Sequence, residues 1–507
     1  MNVGAVRSPG SLAGGLPAHA LALAIGVAVG IGTAVLAELG TKQIALVVAG
    51  VGLLAAALVS RRPLPVVIAT WVVSLGYDRQ YYSFEGLVGS AWGPRGLYWV
   101  PSDMLLLLAI VIWGYEYATS KPADRRWGAP LWPIFLPFAL ANLLSAIGAV
   151  EPMPALFDTI RLFKVGLMLW LLRRVLAPGI WNAAAIGLLA AVALQSLIGI
   201  AQAAAGTNQG IMALFGAPPA PVEEVYDESA RISHRANGTT AHPNVYAPYL
   251  LMLLPAAWAL ALGSPAGWLR RIALAVAAIG LVGVVASQSR SPTALSVLTI
   301  GGLVVSMVAM RLLDIRHVLV GGALAGLVVG GLGLWQWERI ERRVFGDLER
   351  SVDFRARYNE AAIDIWAESP VIGVGANNFG YRLGSYAADL ADMNRENEDQ
   401  YAKISVRTFA PVHNVYLLVL SESGALGLVS FVLLLGGALR VGVIAVRRAT
   451  GPVRLVCLGL LWGVAAQCVQ QIGDFSLWND VNLQSFAVVL ALLNAAPALA
   501  ETRDAAA

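Results

Sequence analysis

The chain holds five histidines in 507 residues, and one of them, His413, stands in PVHNVYLLVLSESGALGL (411–428), just ahead of a long apolar run. An imidazole titrates near pH 6.5 when unperturbed, so at neutral pH a histidine in this place is able to take a proton from a hydroxyl. The competing reading is an interfacial side chain at a helix start. Cations occur in two further segments. RISHRANGTTAHPN (231–244) carries Arg231 and Arg235, whose planar guanidinium groups match phosphate oxygens and stay charged. They read equally well as snorkelling anchors or as ion-pair partners of Glu223, Glu224, Asp227 or Glu228. Within the same segment, His242-Pro243-Asn244 reads as a helix start with Asn244 capping. SRSP (289–292) joins two apolar runs within a few residues and holds Arg290 at or just inside their edge. An unpaired charge there costs several kcal/mol, which makes a phosphorylated lipid a natural partner. Glu422, nine residues beyond His413, is either a carboxylate within the apolar run or the mark of a break at Ser423-Gly424, with the break preferred.

The elements that must hold these residues follow from composition. With 58% hydrophobic residues, 13% charged residues and a mean hydropathy of +0.68, the sequence lies outside the range of soluble domains. It reads as an all-α, polytopic membrane protein. A bilayer core about 30 Å thick needs roughly 20 apolar residues per helix. Apolar runs lie near 18–38, 43–60, 63–77, 102–118, 129–150, 161–177, 181–205, 244–262, 268–287, 292–310, 317–337, 414–438, 453–472 and 480–499, which predicts 12 to 14 transmembrane helices. The first run lacks a small-residue cleavage site and is expected to be retained. Cys457 and Cys468 fall on one predicted helix about 16 Å apart, too far for a disulfide.

Positive charge sets the orientation. With the amino terminus inside, Arg61-Arg62, Lys121 with Arg125-Arg126, Arg173-Arg174, Arg270-Arg271, Arg311 with Arg316, and the arginines at 440–454 all fall in cytoplasmic connections. The opposite side receives the connections near 78–101, 206–243, 287–291, 338–413 and 473–480, and with them His234, His242 and His413. His19 and His317 sit at inner helix ends. The net charge of +4 is accounted for by these connections, so nucleic acid is not a partner. Chemistry on the outer side has no access to ATP or nucleotide sugars, and any donor must arrive preactivated on a lipid.

The connection 338–413 is too long to be only a link. Within it, DFRARYNEAAIDIWAE (353–368) places Phe354, Tyr358, Ala361, Ile365 and Trp366 at helical spacing, predicting an amphipathic helix at the membrane interface that stops at Ser369-Pro370. GVGANNF (373–379) is a glycine turn without the strand and third glycine of a nucleotide site. Asp-x-Asp pairs, His-Glu-x-x-His, Gly-x-Ser-x-Gly and Walker loops do not occur, so a zinc hydrolase, an esterase and an ATP-driven pump are unsupported. The chain divides into N-terminal transmembrane helices (1–205), transmembrane helices with arginine-bearing outer segments (206–337), the large outer loop (338–413) and C-terminal transmembrane helices (414–507).

Four motifs in order, RANGTTAHPN (235–244), SRS (289–291), PVIGVGANNF (370–379) and HN (413–414) followed by ESGALGL (422–428), resemble the superfamily of O-antigen ligases and Wzy-type polysaccharide polymerases. The likeness runs from about residue 231 to 430. It implies a GT-C-like fold with a large periplasmic loop containing short helices, in the bacterial inner membrane with both termini cytoplasmic. The implied reaction is a metal-independent, inverting glycosyl transfer without a cofactor, from an undecaprenyl-diphosphate-linked glycan to an acceptor sugar hydroxyl. The acceptor is lipid A-core for a lipopolysaccharide ligase, or a second lipid-linked glycan for an O-antigen or exopolysaccharide polymerase. Membrane lipid and a chain-length regulator are the further partners it suggests. Position by position, His413 becomes the general base, and Arg290 and Arg235 the groups that neutralise the leaving diphosphate. Arg231, His242, Asn244 and Asn414 become supporting substrate-binding residues. Loop length and chain length favour the polymerase slightly. The competing readings are a flippase or transporter of lipid-linked oligosaccharide, expected to show paired repeats and midplane charges, and a non-catalytic assembly component, which would tolerate replacement of His413 and Arg290.

Overall fold

The computed structural model describes residues 63–85, 96–120, 126–206, 224–226, 232–316, 348–386 and 411–504. The runs expected near 18–38, 43–60 and 317–337, and Arg231, lie outside the described residues. Every other apolar run is a helix: α1 (Pro63–Ser74), α2 (Pro101–Ser120), α3 (Trp132–Ser145), α4 (Pro152–Val175), α5 (Pro178–Ala205), α6 (Pro243–Gly263), α7 (Gly267–Ala286), α8 (Arg290–Ala309), α11 (Val415–Arg448), α12 (Gly451–Gln470) and α13 (Asp480–Asp504). Between α8 and α11 lie α9 (Leu348–Glu368) and the short α10 (Phe379–Tyr386). Seven of these helices, α5 to α8 and α11 to α13, are long and apolar enough to cross a membrane. The protein is a polytopic, all-α membrane protein. Cys457 and Cys468 both lie on α12 and are free.

Two helices depart from the expected runs for legible reasons. α4 begins at Pro152, nine residues before the expected apolar run, because Asp158, Arg161 and Lys164 find buried partners and the charged stretch can stay helical. α3 ends at Ser145, since Gly148 packs directly on the Gly373 carbonyl. Two short antiparallel ribbons were not expected: β1 (Tyr81–Glu85) with β2 (Gly96–Trp99), and β3 (Glu224–Tyr226) with β4 (Ile232–His234). The first has aromatic residues across the strands, with Tyr81 stacked on Trp99 at 4.5 Å.

α6 is the central helix, packed against α12, α7, α8, α5 and α13. Its close fit to α12 depends on small residues, because a Cβ at Gly459 or Gly463 would overlap the α6 backbone at Pro255–Ala256 or Met252. α13 is the second interior helix, whereas α7 and α8 leave most of their surface outward, as lipid-facing helices do.

α9 forms where an amphipathic helix was expected, and its apolar face is used within the protein. Tyr358, Ala361 and Ile365 are buried, and this apolar face is docked on α11 and α10. The glycine turn that follows clasps a break in α11 at Gly424, where φ is 65° and ψ −167°. The backbone groups that the break releases are paired: Val374 N–H donates to Ser421 O (3.1 Å), Gly375 N–H to Glu422 O (2.9 Å) and Ala425 N–H to Pro370 O (2.8 Å). The buried Glu422 carboxylate accepts the Phe379 N–H at 3.0 Å, at the start of α10. Glu422 therefore marks the break and holds the turn. A Cβ at Gly424 would overlap the Val371 carbonyl and sit at positive φ. Gly424→Ala is expected to lose about 2–4 kcal/mol of stability, read as a fall in thermal midpoint in detergent. Gly436→Ala, whose Cβ meets open space, is expected to be neutral.

The connections segregate by end. Asp78 N–H donates to Thr239 O, Asn378 bridges the Glu151 backbone, Tyr98 donates to Asp480, and Val415 N–H reaches Gln471 O and Asp474 O, so the segments expected outside touch one another. At the other end Trp127 N–H donates to Arg173 O, and the Asn494 side chain donates to Ala129 O. This alternation matches the one expected from the arginine-rich connections.

Candidate active site

Helix ends meet where the connections expected outside gather. α6, α8 and α11 present their N-termini there, and α7 and α12 end beside them. Helix N-termini carry partial positive charge and orphan N–H groups, so the arrangement favours an anion before any side chain is added.

Arg235 lies at the centre of one half. It is buried, and it donates from Nε to Ser287 O (3.1 Å) and from Nη2 to Asn244 Oδ1 (2.8 Å) and Ser289 Oγ (3.0 Å). These bonds fix the end of α7, the start of α8 and the start of α6 to one cation. Asn244 is not the cap of α6. His242 is, accepting the Asn244 N–H on Nδ1 at 3.0 Å, with Pro243 as first helical residue. The cap thus belongs to the imidazole, which frees the Asn244 amide for Arg235.

Arg290 opens α8 immediately after Ser289 and is half-buried. Ser291, one residue on, donates to Gln470 Oε1 (2.7 Å), and Gln470 Nε2 donates to Asp474 Oδ2 (3.1 Å). Asp474 also accepts the Phe475 N–H at 2.8 Å. Burial pushes its carboxyl up to about 6, against the Phe475 N–H, Gln470 and the nearby Arg355 and His242, which lower it. The Phe475 ring meets His413 edge-on, with centroids 5.3 Å apart. Asn414 caps α11, its Oδ1 accepting the Tyr416 N–H (3.0 Å) and the Leu417 N–H (3.2 Å). His413 is thus joined by way of Phe475, Asp474, Gln470 and Ser291 to the segment 289–291 that carries Arg290, and through Ser289 to Arg235, Asn244 and His242, while Asn414, beside His413, lies 179 positions after Arg235.

Residues 249–432 match the sequence model of the O-antigen ligase family. This stretch is similar to an O-antigen ligase domain. It contains Arg290, the 370–379 turn, His413, Asn414 and Glu422, while Arg235 and Asp474 flank it on either side. A search of curated proteins finds no match to the chain. The protein is a multi-pass membrane protein with a role in O-antigen or polysaccharide assembly.

Around the matched stretch stand residues that sequence reasoning passed over. Gln470 and Asp474 link the arginine half of the site to the histidine half. Their only signal is polarity between two apolar helices, in QQIGDFSLWND (470–480). A second group lies on α4. Arg161 pairs with Asp158 (2.6 Å) and reaches Asp480 (3.7 Å), donates to Trp478 O, and lies over the Trp478 ring at 5.2 Å. Lys164 bridges Asp103 (3.2 Å) and Asp480 (3.7 Å). This group braces residues 474–480 from beneath.

Asp78, in a connection expected outside, is pushed up from 3.8 to about 6 by burial and by Asp480. The folded protein thus keeps this proton up to about pH 6, whereas the unfolded chain releases it near 3.8. Its stabilising contribution is present at low pH and is lost as pH rises through that window. The thermal midpoint is expected to fall between about pH 4 and 6, with a shallower slope in Asp78→Asn.

Proposed function

We propose that the site transfers a glycan from an undecaprenyl-diphosphate carrier to an acceptor sugar hydroxyl on the periplasmic face of the bacterial inner membrane. The observation that carries this reading is the chain of contacts that joins His413 to the segment bearing Arg290 and on to Arg235 at converging helix N-termini. His413 removes the proton of the acceptor hydroxyl. That oxygen attacks the anomeric carbon, and the bond to the diphosphate oxygen breaks with its electron pair remaining on the diphosphate. Attack opposite the leaving group inverts the anomeric centre. Arg290 and the helix N-termini stabilise the charge that grows on the diphosphate, which is where fixed positive groups lower a barrier most. Arg235 does so from behind, by fixing Asn244 and Ser289. Guanidinium groups supply the positive charge in this scheme, so no metal ion or cofactor is assigned to it.

A transporter would move the donor without making a bond. The test uses purified protein in liposomes with a short undecaprenyl-diphosphate oligosaccharide, with and without lipid A-core, in the presence and absence of chelator. Elongation of the donor alone identifies a polymerase, and modification of the lipid A-core a ligase. Equal rates in chelator are expected. Movement of donor across the bilayer with no new glycosidic bond would sink the proposal.

A further inference from the structure

α5 is a 28-residue apolar helix, yet it carries two buried glutamines, Gln195 and Gln202, about two turns apart on one face. Residues 235–240 lie against that face and are buried throughout. Gln202 Oε1 accepts the Asn237 N–H (3.2 Å) and the Gly238 N–H (2.9 Å), and its Nε2 donates to Gly238 O (2.8 Å). Gln195 Oε1 accepts the Thr239 N–H (2.9 Å), and its Nε2 donates to Thr239 Oγ1 and to Gly76 O (2.9 Å). The fit is close. Gly238 has a φ of 59°, and a Cβ on it would overlap Gln195 Oε1 and the Tyr246 ring. A Cβ on Gly199, between the two glutamines, would overlap the Tyr246 hydroxyl and touch Ala236.

Polar side chains in a membrane helix ordinarily serve as glue to a neighbouring helix. Among the described residues Gln202 has no such partner, since its three bonds all go to the backbone of 237–238. Non-helical backbone at membrane depth must find its partners within the protein, and the two glutamines supply them. The connection 206–242 is long enough to join α5 to α6 without entering the bundle. What its buried part delivers is Arg235. Next to the clamped turn, Ala236 N–H donates to Ala286 O (3.0 Å), and Arg235 reaches Ser287, Asn244 and Ser289.

We infer, on the strength of the proposed transfer reaction, that Gln202 is a positioning residue, with Gln195 in support: through the 237–239 backbone it sets where Arg235 holds Asn244 and Ser289. Neither glutamine is given a contact with substrate. The amide is required in both senses, because Gly238 presents its N–H and its C=O to the same side chain.

The test is a double-mutant cycle between Gln202→Leu and Arg235→Lys, read as glycan transfer by the full chain in liposomes. Gln202→Leu keeps the bulk and removes all three bonds. It is expected to lower kcat about 10–100-fold, the cost of a misplacement of about 1 Å, with donor KM near wild type. In the Arg235→Lys background the same change is expected to cost no more than about twofold, because the residue it acts through is already displaced. The control is Asn494→Leu, which removes a buried amide bond to Ala129 O (2.8 Å) at the opposite end of the bundle. It is expected to lower the thermal midpoint without changing kcat. If Gln202→Leu fails to fold, the milder Gln202→Glu takes its place. That variant keeps an acceptor for the two N–H groups and loses the donor to Gly238, so a loss of about 3–10-fold with the same coupling is expected. Equal fold-losses in the two backgrounds, a wild-type kcat in Gln202→Leu, or a loss confined to KM would overturn the role of Gln202 alone. Absence of transfer by wild type would overturn the reaction itself.

Discussion

His413→Ala is expected to lower the rate of glycan transfer by about 10²–10⁴-fold, the usual worth of a positioned general base, while leaving donor binding and the thermal midpoint near wild type. The expectation rests on anchors of α11 that do not involve this side chain. The start of α11 is capped by Asn414 rather than by His413, and Val415 N–H ties the helix to Gln471 and Asp474 through backbone alone. Removing the imidazole takes away an edge contact with Phe475 and leaves these anchors in place. A glutamine at 413 keeps polarity without basicity and is expected to be as inactive as alanine. Bound donor measured in the same samples separates the loss of chemistry from a loss of binding.

The second large effect is at Arg290. Arg290→Ala is expected to reduce the rate by about 10²–10³-fold, the range seen when one fixed donor to a developing anion is removed, with a smaller rise in KM for the donor. Arg290→Lys keeps the charge and loses the fork, so partial recovery is expected. Arg235 makes an instructive contrast. It donates to Ser287, Asn244 and Ser289, so Arg235→Lys cannot hold all three of these acceptors and is expected to lower the thermal midpoint as well as the rate. A variant at 290 that unfolded the protein, or one at 235 that lost only rate, would exchange the roles given to these residues.

Much of the architecture is legible in the sequence because the bilayer imposes it. Long apolar runs must be helices, and arginine-rich connections sort to one end. The start of α4 was hidden because Asp158 and Arg161 look like a connection until Asp480 and Trp478, more than 300 residues away, are seen to receive them. The cap at His242 was misassigned to Asn244 for the same reason. Asparagine is the better cap by propensity, and only the position of Arg235 shows that the amide is needed elsewhere. Asp474 was overlooked because two carboxylates six residues apart in a short polar connection, Asp474 and Asp480, match no motif spacing. The break at Gly424 was legible, since a glutamate beside a glycine interrupts an apolar run. Its purpose, to receive the 370–379 turn, appears only when the two segments are seen paired.

The central claim is that bond formation and loss of the diphosphate carrier are one event at this site. The direct measurement is single-turnover release of undecaprenyl diphosphate by wild-type protein in liposomes, followed together with the appearance of the new glycosidic linkage and its anomeric configuration. The account predicts one carrier released per linkage formed, with inverted configuration, and neither product from His413→Ala. Carrier release without a new linkage, a retained configuration, or full activity in His413→Ala would contradict it.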